Sequence, residues 1–367
     1  MYLWLLDYIF EPVGGVIAFV ASWYGVLSAL LRFFRWLMPW IASALSPLMG
    51  LFTKRKVPRG LPHLDVAEWV STRVFRVSGC NPGPHTLQGT NTYVVGEGDA
   101  KAIIDTGESS TSLEWLTNLE SVLFAQKTRR VSDIFLTHGH HDHQGGVNAL
   151  LKRLKLLGML PSPPRVHMRK VKGGKFPPKG FECEDIADGQ VYKLHGGTST
   201  LQAYHTPGHT DCSLCFVLKE DFILFSGDSV LGCGSTVFED LSDYMASLAR
   251  MRDLMLCAPC KEGETPSALN TICPGHGLVI RGGGLQKIDE YIMHRTEREE
   301  QIMACLREAS GQGGRMCSLQ LVDYVYRDMH LNLILKLSAQ DSVINHLEKL
   351  KREDKVKEQF PDLWSLR

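Results

Sequence analysis

The chain has 367 residues, with 40 lysines and arginines against 40 aspartates and glutamates and a formal net charge of zero. That balance excludes a bulk basic field for nucleic acid, so any anion must be held locally. Ten cysteines without dense, even spacing exclude a secreted disulfide scaffold and read as reduced thiols.

The length leaves room for two domains or for one large core with an appendage. Residues 12–31 carry no charge and match the roughly 20 residues that a helix needs to cross hydrocarbon. Arg32 and Arg35 follow, then a second apolar stretch from Trp36 to Phe52 and the basic run Lys54-Arg55-Lys56. Trp23, Trp36 and Trp40 suit an interface. Asp7 and Glu11 precede any Arg or Lys, which argues against a cleaved targeting peptide. The expectation is a retained membrane segment within residues 12–52, either one span plus an interfacial helix or a hairpin. The basic cluster predicts that the body faces the cytosol. Pro58-Arg59-Gly60-Leu61-Pro62 reads as a linker, giving a membrane anchor and basic linker over 1–60, a catalytic domain over 61–285 and a module over 286–367.

In the body, Arg73–Val77 alternates as a strand does, Gly89–Gly96 is β-rich, and Lys101–Ile104 runs into Asp105-Thr106-Gly107. The same grammar then recurs. Ile134-Phe135-Leu136 runs into Thr137-His138-Gly139-His140-His141-Asp142-His143, and Leu201–His205 runs into Thr206-Pro207-Gly208-His209. Phe222–Phe225 runs into Ser226-Gly227-Asp228, and Asn270–Cys273 into Pro274-Gly275-His276-Gly277. Each apolar run ends in a glycine-containing turn that presents a His or an Asp. Helical periodicity lies between some of them, over 112–124, 147–157 and 244–256. Strands interleaved with helices predict an α/β layered protein with its site along one sheet edge.

Two CxxC pairs, Cys212/Cys215 and Cys257/Cys260, have the spacing of a zinc knuckle or a redox pair. Cys212 and Cys215 lie in a strand-like run, where packing is the expected use. Downstream, Gln286–Ala309 reads as one long charged helix, 311–314 breaks it, and 318–326 and 340–351 form two further amphipathic helices. This tail is expected to be a small helical, winged-helix-like module that serves as a lid or buttress rather than reading nucleic acid.

Four histidines and a carboxylate in one short loop behind an apolar strand point to metal. The later turns complete the inventory: His138, His140, Asp142, His143, His209, Asp228 and His276, enough for two neighbouring ions. His138, His140 and His209 would hold one, Asp142, His143 and His276 the other, with Asp228 between them. The donor set fits zinc best, two per chain. A hydroxide shared between two such ions is a nucleophile at neutral pH, because zinc lowers the pKa of its water from about 15.7 to about 7. The implied reaction is metal-assisted hydrolysis of an ester, thioester, amide or phosphodiester, with Asp142 and Asp228 as catalytic residues.

The His-x-His-x-Asp-His pattern, followed by single His, Asp and His residues in glycine turns, resembles the metallo-β-lactamase superfamily. The resemblance is closest to its lactamase-beta-like protein 2 branch, related to glyoxalase II. It is carried by Gly79–Pro84, Thr86–Tyr93, Ile104–Glu108, Tyr204–Asp211, Thr236–Leu241 and Pro274–Gly277, and in the tail by His294-Arg295 and Asn345–Leu350. It implies an αβ/βα sandwich with a dinuclear zinc site at one edge and the seven residues above as ligands. It places Asn91 and Thr92 in a substrate-side loop, with a purely turn-forming role as the alternative. It also implies an endoribonuclease acting on single-stranded RNA, with mitochondrial association. The chain departs from the family in carrying Gly139 and His141 where Trp and Arg are usual. The apolar amino terminus has no family counterpart and does not fit a matrix location.

Three functions are in competition. Cleavage of single-stranded RNA is favoured, with Arg169, Lys170, Lys172, Lys175 and Lys179 of one Gly/Pro-rich loop as candidate phosphate contacts. The alternative is an acyl thioesterase acting on an acyl-CoA or acyl-carrier thioester, including glyoxalase II-like substrates. Fungal polyketide-releasing thioesterases share the stretches at Thr86–Tyr93 and Val237–Leu241, and a membrane segment suits a greasy acyl substrate. The third is a membrane-tethered scaffold with a structural metal, against which the complete ligand set weighs.

Overall fold

Apolar side chains alternating with a period of two account for the layers of this protein. In a computed structural model, the described residues are 56–159, 165–175, 178–194, 197–256, 271–311, 314–328 and 333–367. A seven-stranded sheet takes its strands in chain order. They are β1 (Ala67–Trp69), β2 (Val74–Ser78), β3 (Asn91–Val95), β4 (Ala100–Ile104), β5 (Arg130–Phe135), β6 (Arg165–Met168) and β7 (Glu184–Asp185). The first four pair antiparallel and β4 to β7 pair parallel. Helix α1 (Ser112–Ala125) makes the β4–β5 crossover, and α2 (His141–Gln144) and α3 (Val147–Leu156) make the next. A six-stranded sheet contains β8 (Val191–Lys193), β9 (Thr200–His205), β10 (Leu214–Leu218), β11 (Ile223–Gly227), β12 (Thr271–Pro274) and β13 (Ile280–Arg281), in the spatial order β13-β12-β11-β10-β9-β8.

Along β3 to β5, Val94, Ile103 and Ile134 pack with Trp115 and Leu119 of α1 and Leu150 and Leu154 of α3. The intervening residues Tyr93, Val95, Ile104 and Phe135 meet Leu201, Ala203, Phe216 and Phe225 of the other sheet. On the far face of that sheet, Cys215, Leu224 and Ile272 pack with Leu248 and Met251 of α4 (Leu241–Leu256) and Ile288 of α5 (Gly284–Gly311). The layers therefore run helix, sheet, sheet, helix. Cys212 and Cys215 are both free, buried thiols that belong to opposite outer layers. Burial pushes the Cys215 thiol up to about 12, which suits packing and not redox chemistry. Cys257 and Cys260 lie outside the described residues.

The chain divides into two compact units, one of Arg55–Met293 and one containing His294–Arg367. In the second, α6 (Ser318–Val325) and α7 (Leu333–Arg352) precede a hairpin of β14 (Val356–Phe360) and β15 (Leu363–Leu366). Its core joins Ile302 and Leu306 to Leu321, Val343, Leu347 and Trp364. Ser318 Oγ donates to Asp362 Oδ2 at 2.8 Å and accepts from Gln340 Nε2 at 2.9 Å, which ties the hairpin turn to both helices. Two helices followed by a hairpin agree with the expected winged-helix-like module, although α7 starts seven residues before position 340.

The membrane segment expected within residues 12–52 lies outside the described residues. Among the described residues no helix is long and apolar enough to cross a membrane. The two longest, α5 and α7, carry charges throughout, including Lys287, Asp289, Glu290 and Glu297 in one and Lys336, Asp341 and Glu348 in the other. The expected architecture is corrected to two layered sheets with a helix-and-hairpin module, in which no described helix crosses a membrane. The membrane-anchored, cytosol-facing placement finds no support among the described residues and is not carried further.

His346 on α7 is fully buried. Burial, then the charges of Arg295, Arg298 and Lys349, push its imidazole down to about 3 from 6.5. The unfolded chain therefore binds this proton more readily, and stability present above pH 6.5 is lost as pH falls toward 3. Between pH 7 and pH 5 the loss is about 2 kcal/mol. Hydrogen exchange at the Leu347 and Leu350 amides should report this loss, and His346→Gln should remove it. An equal pH dependence in the variant would contradict the assignment.

Candidate metal centre

Each candidate ligand stands just beyond the end of a buried strand. After β5, the chain reaches His138 and His140, and the single turn of α2 then carries Asp142 and His143. β9 leads to His209, β11 to Asp228 and β12 to His276. Two glycines make these turns possible. At Gly208, with φ of +125°, an added Cβ would lie 2.3 Å from the Tyr244 backbone. At Gly275 it would lie 2.1 Å from Asp228 Oδ1.

The seven residues form two groups whose ligand atoms lie within 4.8 Å of one another, His138 with His140, His209 and Asp228, and Asp142 with His143 and His276. Asp228 faces both. Its Oδ2 is 3.9 Å from His138 Nε2, 3.7 Å from His209 Nε2 and 3.2 Å from His276 Nε2, and its Oδ1 is 3.4 Å from His143 Nε2. That buried Oδ1 makes no hydrogen bond.

Hydrogen bonds behind the rings fix their orientation. His209 Nδ1 donates to the Val237 carbonyl at 2.7 Å, so its Nε2 presents a lone pair inward. The Thr137 hydroxyl donates to Asp105 Oδ2 at 2.8 Å and hence accepts from His138 Nδ1 at 3.0 Å, which turns the His138 Nε2 lone pair inward as well. Both lone pairs face His140 Nδ1, at 2.9 and 3.1 Å. One N–H cannot satisfy two such acceptors, whereas a cation at their focus can. In the second group, His143 Nδ1 donates to Asp105 Oδ2 at 2.8 Å, and His276 Nε2 lies 3.1 Å from Asp142 Oδ2. The orphaned carboxylate oxygen, the converging lone pairs and the space kept by Gly275 fit a divalent cation.

Electrostatics agrees. Burial and then the neighbouring imidazoles push His138 well below its ordinary range, and burial and His209 push His140 down to about 4. Burial also opposes charge on His143 and His276, but the surrounding carboxylates outweigh it. They hold His143 well above its ordinary range and His276 at about 9. In the same way, burial would raise Asp142 and Asp228, yet His143 and His276 keep both well below the carboxylate range. Two buried anions thus require positive charge beside them, which protons or metal ions can supply.

Asn91 and Thr92, expected on the substrate side, are not brought to this site. Asn91 is buried and donates to the Pro274 and Gly277 carbonyls at 3.0 and 2.8 Å, clipping the turn that carries His276. Thr92 is buried, donating to the Val77 carbonyl at 2.9 Å and accepting from Trp115 Nε1 at 2.9 Å. His141 is exposed, 3.0 Å from Ser109 Oγ. Two further residues act on the ligands without having been singled out. Thr90 Oγ1 donates to Asp142 Oδ2 at 3.2 Å. Asp105, with φ of +58°, takes the Thr137 amide, the Thr137 hydroxyl and His143 Nδ1 on one carboxylate. The signal for Asp105 was present in the chain, a carboxylate in a glycine turn after an apolar strand.

A model of the metallo-beta-lactamase superfamily matches residues 85–257, and one of the beta-lactamase associated winged helix domain matches 318–364. A Caenorhabditis elegans relative, beta-lactamase-like protein 2 homolog, is 36% identical over 304 residues, covering 79% of this chain and 93% of that protein. The chain belongs to the metallo-beta-lactamase superfamily. Another relative of this superfamily member, an atrochrysone carboxyl ACP thioesterase from Paecilomyces divaricatus, is 36% identical over 299 residues, covering 81% of this chain and 85% of that protein. A beta-lactamase domain protein from Burkholderia ambifaria has the same fold, with a TM-score of 0.65 at 19% identity over 85% of this chain and 97% of that one.

A cavity of about 360 Å³ opens above the centre, floored by His140, Asp142, His209, Asp228 and His276 and walled in part by Leu87, Leu231 and Val237. Because Asp105 orients His143, Asp105→Ala is expected to weaken metal binding about 10- to 100-fold. Gly275→Ala should displace Asp228 and cause at least as large a loss. Metal titration of the apoprotein checks both, and parental affinity in either variant would contradict this arrangement.

Proposed function

We propose that this chain hydrolyses acyl thioesters at a centre holding two zinc ions. His138, His140 and His209 would hold one, Asp142, His143 and His276 would hold the other, and Asp228 lies between the two groups. The observation that carries the reading is the cleft, where Pro84, Leu87, Leu231 and Val237 give the walls an apolar share over a polar floor made of the ligands themselves. An acyl thioester has that division, an apolar chain joined to a polarisable carbonyl. Relatives named as atrochrysone carboxyl ACP thioesterases, at 36% identity, support it.

Zinc ions in such a site act as Lewis acids and bring the pKa of a coordinated water near 7. The chain's own groups do the rest. Asp142 is the more exposed of the two carboxylates, with its Oδ2 held by Thr90 and His276, and it is the group we assign to take up the proton of the attacking water and hand it to the thiolate that departs as the C–S bond breaks. Asp228 aligns the two ligand groups on either side of the reacting carbonyl. Asp105 and Asn91 act from behind, as positioning residues. All of these lie within 61–285, which we take as the catalytic domain, with 286–367 as the appended module.

The basic loop that favoured RNA gives that reading no support. Lys175 pairs with Glu239 at 2.9 Å, Arg169 bonds the Ile186 carbonyl at 2.9 Å, and neither lines the cleft. With zinc present, the full chain should release thiol from acyl-pantetheine or acyl-carrier thioesters and leave a single-stranded RNA oligonucleotide intact. Asp228→Ala should lower thiol release by more than about 100-fold. RNA cleavage with intact thioesters would overturn the proposal.

A further inference from the structure

Two residues at the mouth of the cleft are held in ways that ordinary surface residues are not. Val237 is 70% exposed, although it is apolar. Its backbone is tied down at and just after this residue. The Val237 carbonyl accepts from His209 Nδ1 at 2.7 Å, and two residues on, the Glu239 amide donates to Gly208 at 2.7 Å. Glu239 is held in turn by Lys175 at 2.9 Å. Leu87, which also lines the cavity, adopts φ of +54°, a left-handed conformation that costs a non-glycine residue energy, and its carbonyl accepts from the Gly83 amide at 3.1 Å. Rigidly presented apolar groups over a polar floor are pre-organised to bury an apolar ligand, because little ordering remains to be done on binding.

The geometry points to an acyl-binding rim. We propose that Leu87 and Val237 grip the apolar chain of a thioester whose carbonyl lies on the floor, while the carrier-side thiol faces solvent. At about 360 Å³ the cavity is at the small end for ligand sites, which run about 300–1,000 Å³. It takes the acyl group and the thioester, and leaves the carrier arm outside. Selection is therefore by acyl chain. This inference rests on the thioesterase reading, yet the two fail in different ways.

The test uses the zinc-loaded full chain and thioester analogues in which a methylene replaces the sulfur, with acyl groups of about two to eight carbons on a pantetheine-like arm. Calorimetry should show affinity rising about fourfold per methylene until the cavity is filled. Val237→Ser and Leu87→Asn should flatten that slope below about twofold with zinc content unchanged; asparagine tolerates the left-handed backbone. A flat series in the parent, or the parental slope in both variants, would overturn the rim, and the parent series decides even where a variant misfolds. Hydrolysis of the matching thioesters separates the two ideas. A rising slope with no hydrolysis leaves the rim standing and removes the thioesterase reading. Hydrolysis with a flat slope does the reverse.

Discussion

A carboxylate enclosed by imidazoles in a buried site is stable only with positive charge at hand. Asp228 is in that position, with four imidazole nitrogens of His138, His143, His209 and His276 within 3.9 Å. Those histidines arrive from three different strand ends, so their meeting at Asp228 depends on how the apolar core seats one sheet on the other. Gly275 keeps the space open, since a methyl group there would lie 2.1 Å from the carboxylate. Asn91 reaches from the seven-stranded sheet to the Pro274 and Gly277 carbonyls and fixes the last turn. Local glycine conformation, sheet packing and site chemistry meet at one anion.

The same arrangement separates chemistry from selection. The floor of the cleft comes from strand ends locked by the sandwich core, whereas its walls come from the loops around Leu87 and Val237. A metal centre of this kind is indifferent to whether it attacks an ester, a thioester or a phosphodiester. Substrate choice is left to loops, which change readily while the strands beneath them stay. The Val237 carbonyl joins the two functions, because one peptide unit both orients His209 and fixes the rim.

The strands and the residues they present were legible because each apolar run stops at a glycine turn. What was not legible depended on contacts across the chain. Asn91 and Thr92 lie on β3, where all five residues are buried. A strand covered on both faces has no polar alternation to show which way a side chain points. Asp105 could be seen as a presented carboxylate, but its grip on Thr137 and His143 spans more than 30 residues and has no local signature. Within the winged-helix-like tail, the two strands of the closing hairpin were not legible one by one because Lys357, Glu358 and Gln359 surround its few inward residues, Val356 and Trp364. Hydropathy over 12–52 suggested a membrane segment, which lies outside the described residues, and among those no helix is long and apolar enough to cross a membrane.

In the proposed centre, Asp228 links two metal positions. Anomalous diffraction at the zinc edge, from crystals of the full chain, tests it most directly. Two peaks are expected, one about 2.0–2.1 Å from the His138, His140 and His209 nitrogens and one at that distance from His143 and His276, with the Asp228 carboxylate reaching both. Asp228→Ala should leave at most one peak. A single peak in the parent protein, or two undiminished peaks in the variant, would contradict the account.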